Sequence, residues 1–139
     1  MAIDRQATAF GILRVSIGAF FIFEGLSKAR WLTNPSLLAS QLGAWNGTVA
    51  PASMSAWYLH HIAMPGVPIF ARLVPLGELC SGIALVLGFW TPLFAFIAFV
   101  MAFNFQFASG ALFRYSFLTS GYGLPVLGST LAMVFGGRR

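Results

Sequence analysis

Apolar positions along the chain gather into runs long enough to cross a bilayer, which takes roughly 20 residues of helix. Four such runs stand out: about Thr8–Lys28, Pro68–Phe89, Pro92–Ser109 and Tyr115–Phe135. They lack the two-residue alternation of a membrane β-strand, so they predict helices. Gly88 and Pro92 bound a very short link between the second and third runs, which forces a hairpin. Gly110 to Arg114 makes a similar link before the fourth run. The pattern predicts an all-α membrane protein, a four-helix antiparallel transmembrane bundle in one domain over residues 1–139, with both termini on one side. The first run is longer than a signal-peptide core and contains Arg14 and Glu24, so it is expected to be a retained span.

Between the first and second runs lies one sizeable loop, about residues 29–67. Asn34-Pro35 is a helix-start signal, followed by Leu38, Leu42 and Trp45 at helical spacing, and Asn46-Gly47 ends the run. A second short helix is expected from Pro51 to about Ala63, stopped by Pro65-Gly66. Trp31, Trp45, Trp57 and Tyr58 suit a membrane interface, so the loop predicts one or two interfacial helices rather than a soluble domain. The Asn46-Gly47-Thr48 glycosylation triplet is explained by the turn.

Within the spans, small residues recur on single faces. Gly11, Arg14, Gly18, Phe21, Gly25 and Lys28 alternate at spacings of three and four on the first. Pro75, Glu78, Gly82 and Leu85 do so on the second, and Ala95, Ala98, Ala102 and Gln106 on the third. Gly121, Pro125, Gly128 and Ala132 are the expected packing face of the fourth. Small residues let helices approach where lipid supplies no hydrophobic drive for association.

Composition narrows the class. The chain is 58% hydrophobic and 8% charged, with a mean hydropathy of +0.83, against about 45–50% and 25% for soluble domains. Its net charge of +5 is scattered, which fits anionic lipid headgroups and excludes a nucleic-acid binder built on a basic patch. Arg5, Arg138 and Arg139 on the terminal side nearly balance Lys28, Arg30 and Arg114 on the other. A long first loop more often lies outside in small bacterial proteins. The expected location is therefore a prokaryotic cytoplasmic membrane with cytoplasmic termini.

Charges inside the spans are the candidate chemistry, since each costs at least ~2.5–3.5 kcal/mol near the bilayer centre. With Gly18 and Leu79 placed at the midplane, Arg14 lies ~6 Å to the terminal side and Glu78 close to the centre. Glu24 and Arg72 lie ~9 and ~10 Å to the other side. Two ion pairs follow as candidates, Arg14–Glu78 and Glu24–Arg72, with Glu24–Lys28 as the alternative within one helix. These five residues read either as register locks between helices or as a proton or ligand site. Asn104 and Gln106 read as interhelical hydrogen bonds, or as contacts for a quinone carbonyl. His60 and His61, adjacent in the loop, do not make a metal site, and Cys80 is expected to be a small core residue. No nucleophile–base pair or phosphate loop is visible, so no catalytic residue is assigned and no covalent cofactor expected. Quinone or lipid are the ligands the pattern leaves open.

The stretch LRVSIGAFFIFEGLSKARWL, with Arg14, Gly18, Gly25 and Lys28, resembles the first span of DoxX-like proteins. LVPLGELCSGIALVLGFWTPLFAFIAFVMAF, with Glu78, Gly82, Leu85, Gly88 and Thr91, resembles their second and third spans. The family takes its name from subunits of archaeal terminal quinol oxidase and thiosulfate:quinone oxidoreductase. Related mycobacterial proteins are membrane partners in a thiol- and superoxide-handling assembly. The resemblance thus implies an accessory or anchor subunit of a membrane oxidoreductase, with other membrane subunits or further copies of itself as partners. Arg14, Lys28 and Glu78 carry over as the family's polar positions, with no catalytic role attached. A purely structural subunit of a respiratory or photosynthetic assembly and a small proton-coupled transporter using Glu78 are the competing readings.

Overall fold

A computed structural model describes residues 4–136. Helix α1 covers Arg5–Ser27, and Asp4 caps it by accepting from the Gln6 and Ala7 amides. A 3₁₀ turn, Ala29–Leu32, leads to α2, Ser36–Asn46. Helix α3, Met54–Tyr58, is capped by Ser53 and runs into a π turn, Leu59–Ala63, that carries both histidines. Helices α4, Val67–Leu87, and α5, Thr91–Ala108, follow. A short α6, Ser116–Thr119, and α7, Leu124–Gly136, end the described chain.

Among the described residues, α1, α4 and α5 are the helices long and apolar enough to cross a membrane. Helix α7 has 13 residues, ~20 Å of rise, so the fourth apolar run is not one continuous span. The backbone turns between Ser120 and Gly123. Gly121 and Gly123 weaken helix continuity there, and Pro125 suits a helix start better than an interior. The α4–α5 hairpin forms as expected. Gly88 ends α4 in the left-handed conformation at φ 78°, and Trp90 adopts the same region at φ 44° before Thr91 starts α5.

Two glycine contacts set how α1 lies on α4. A Cβ on Gly18 would lie 2.8 Å from the Gly82 carbonyl oxygen and the Val86 nitrogen. One on Gly25 would lie 2.7 Å from Leu79 Cγ and 3.1 Å from the Pro75 oxygen. Rising numbers on α1 therefore meet falling numbers on α4. Gly18 is level with the Gly82–Val86 turn rather than with Leu79, a slide of ~7 Å from the sequence-based depth assignment.

Ala95, Ala98 and Ala102 of α5 are fully buried and pack in one cluster with Phe21, Leu85, Leu127 and Met133. The α7 face that meets them is Val126, Leu127, Thr130 and Met133, not the expected Gly121, Pro125, Gly128 and Ala132, which are exposed. Alanines on α5 already provide the close approach, so the larger α7 side chains fill the space they leave. Cys80 is likewise exposed on the outer side of α4, not in the core. A second cluster joins Leu38 and Leu42 of α2 to Leu59, Ala63, Ala71 and Ala108, so the loop helices pack against one end of α4 and α5. Ile12, Phe23, Ile69, Leu73, Phe96 and Val100 face outward, an apolar surface of the kind a bilayer covers.

Candidate functional site

The slide of α4 changes which charges meet. Lys28, just past the end of α1, places Nζ 2.9 Å from Glu24 Oε2 and 3.1 Å from Glu78 Oε2. Glu24 precedes Lys28 by one helical turn, the favourable order for such a pair. Glu78 arrives from α4 because Gly25 lets the helices close at that level. It is fully buried, while the Glu24 and Lys28 side chains are 32% and 14% exposed. The Lys28 ammonium also lies 5.1 Å from the Phe105 ring centroid, a cation–π contact from α5. Glu78 Oε1 is buried without a hydrogen-bond partner. Two carboxylates thus converge on one ammonium, with one acceptor atom left over.

Arg14 and Glu78 are not brought together. The Arg14 guanidinium lies against Gly88, where a Cβ would collide with Nη1, and its Nε is buried without a hydrogen-bond partner. Nor does Arg72 reach Glu24; it is exposed and donates from Nη1 to its own Pro68 carbonyl at 2.7 Å. Both expected pairs assumed a midplane at Leu79. The glycine-to-glycine contact moves Glu78 towards the loop end and leaves Arg14 level with the hairpin.

A cavity of ≈ 260 Å³ opens beside the triad, lined by Glu24, Lys28, Gln41, Gln106, Ser109 and four aromatic residues, Trp31, Trp45, Phe105 and Tyr122. Gln106 is thus at the site, whereas Asn104 accepts a hydrogen bond from the Tyr58 hydroxyl and lies apart from it. Burial pushes the Tyr58 phenol above its ordinary range, with the Asn104 bond pulling the other way. Ser55 Oγ donates to the Phe107 carbonyl at 2.6 Å and Arg114 donates to Thr48 at 2.9 Å, so the loop is tied to the α5 end that the cavity faces. The lining residues that sequence reasoning missed are Gln41, Phe105, Ser109 and Tyr122. Gln41 was legible in principle, one turn before Trp45 on α2, but nothing in the sequence says that α2 folds over Lys28.

Helices of spanning length, apolar outer faces and a partly buried ion cluster between the helices define an integral membrane protein of the helical class. Residues 9–111 match the DoxX family, and the chain belongs to it. No curated protein and no solved structure matches the chain.

Proposed function

We propose that this chain is a non-catalytic accessory subunit of a membrane oxidoreductase and that its cavity beside Lys28 receives a quinone headgroup. The observation that carries this is the convergence of Lys28 and Gln106 on one aromatic-walled space. A quinone is a flat ring with carbonyl acceptors at opposite ends. Trp31, Trp45, Phe105 and Tyr122 supply apolar and stacking walls, and Lys28, Gln41 and Gln106 supply donors. The carboxylates of Glu24 and Glu78 hold the ammonium in place. Electrons come from a partner subunit; these side chains bind and orient. In this reading α1, α4, α5 and the α6–α7 segment form the antiparallel four-helix bundle. It sits in a prokaryotic cytoplasmic membrane with the termini on the cytoplasmic side and the loop helices at the outer interface.

The test is purification from native membranes in mild detergent, with co-purifying chains identified by mass spectrometry and quinone extracted and quantified. The expected result is a redox partner together with bound quinone that is lost in Gln106→Leu. A lone protein without quinone would overturn the reading and leave Glu78 as a candidate proton carrier. A partner without quinone would reduce the chain to a structural subunit.

A further inference from the structure

At the end of the molecule remote from Lys28, α1 outruns the α4–α5 hairpin. Arg14 is level with Gly88 at the α4–α5 hairpin, and Arg5 to Leu13 run on past it by ~14 Å. The end of α7 closes the other side, since a Cβ on Gly136 would touch the Phe10 ring at 3.4 Å. The space between is a cavity of ≈ 480 Å³, larger than the one beside Lys28, lined among others by Asp4, Phe10, Gly11, Arg14, Gly88 and Thr91. Phe89 and Trp90 at the hairpin are exposed and stacked with ring centroids 5.2 Å apart. Exposed aromatic rings of this kind mark the headgroup level of a bilayer.

We propose that this cavity binds a phosphate group on the Arg14 guanidinium, carried by a lipid headgroup or free in solution. The Arg14 guanidinium lines this cavity and has no hydrogen-bond acceptor among the described residues; its Nε–H is buried behind the cavity wall, so the donors a ligand reaches are the Nη groups. A guanidinium matches phosphate oxygens with paired donors, which makes phosphate the natural acceptor. Thr91 lines the same cavity as the first residue of the 18-residue helix α5, whose leading amides carry partial positive charge. Asp4 also lines it, but its Oδ1 is held at the start of α1 by the Gln6 and Ala7 amides at 3.0 and 3.2 Å. The absent side chain of Gly88 is what lets Arg14 lie across the hairpin. This inference does not rest on the quinone reading, because the two cavities share no residue.

The experiment is native mass spectrometry of the detergent-solubilised protein with phosphatidylglycerol or with diacylglycerol, which lacks the phosphate. In parallel, equilibrium dialysis is run against radiolabelled inorganic phosphate. Phosphatidylglycerol should be retained and diacylglycerol not, and Arg14→Gln should weaken retention roughly tenfold or more, the scale of a charge-assisted hydrogen bond. Gly11→Leu is the second variant. A Cβ there meets nothing within 4 Å and Gly11 lines the cavity, so the leucine side chain should occupy cavity space and reproduce the loss. Binding of inorganic phosphate that both variants abolish would support the same site with a soluble ligand as its source. Retention unchanged in either variant, or no binding of either probe, overturns the proposal.

Discussion

Gly18 on α1 and Gly82 on α4 occupy each other's side-chain space. A Cβ on the first would lie 2.8 Å from the Gly82 carbonyl oxygen, and a Cβ on the second 2.6 Å from that of Gly18. This one contact sets the level of every polar group on the two helices. It carries Glu78 to Lys28 and leaves Arg14 at the hairpin.

Gly18→Ala and Gly82→Ala should therefore each destabilise the protein by ~1–3 kcal/mol, because backbone rather than a flexible side chain must give way. Gly11→Ala, facing open space, should change little. Unfolding in mixed detergent micelles measures all three, and equal effects would show that the glycines do not set the register.

Removing Lys28 should be severe. Lys28→Met leaves two carboxylates facing each other, Glu78 fully buried, and breaking a buried pair this way costs roughly 3–5 kcal/mol. Adding Glu78→Gln should recover part of that loss, since the repulsion and the uncompensated buried charge both go. A double variant no more stable than Lys28→Met would mean that the two groups are not coupled.

Arg72→Gln should be near neutral, within ~0.5 kcal/mol, as for other surface substitutions outside a network. Its only hydrogen bond in the described structure is to a carbonyl one turn back on its own helix. A loss comparable to that of Lys28→Met would restore the Glu24–Arg72 pair that the depth arithmetic suggests.

On α7, Met133→Ala should cost about 2–5 kcal/mol, the range for emptying a fully buried site. Ala132→Met on the exposed face should be tolerated. Thermal unfolding in detergent distinguishes them, and the reverse order would mean that α7 packs through its small-residue face after all.

Cys80 is the single cysteine of the chain and faces outward from α4. A fluorophore attached there in a reconstituted bilayer should be quenched by spin-labelled lipid and not by aqueous iodide. Quenching by iodide alone would place this face of α4 in water.

Much of the architecture was legible because bilayer physics writes it into one dimension. Long apolar runs with glycine and proline between them gave α1, α4 and α5 closely. The faces Pro75–Glu78–Gly82–Leu85 and Ala95–Ala98–Ala102–Gln106 are the buried ones. The fourth run misled because its glycines and alanine look like a close-packing face. Its partner α5 already carries the small residues, so complementarity assigns the larger side chains of α7 to the interface.

What the sequence determined by itself is therefore local: which segments are helical, which face of α4 and α5 turns inward, and that Glu24, Lys28, Glu78 and Arg14 are too costly to leave in lipid. Helical periodicity and the transfer cost of charge need no knowledge of neighbours. Glu24–Lys28, four residues apart on one helix, was an alternative the spacing offered, whereas which charges meet across helices, Glu78 with Lys28 above all, was decided only by the tertiary structure. Moving one helix along another by a turn preserves both faces while replacing every cross-helix contact. Steric exclusion between Gly18 and Gly82 made that choice, and no spacing within a single helix encodes it.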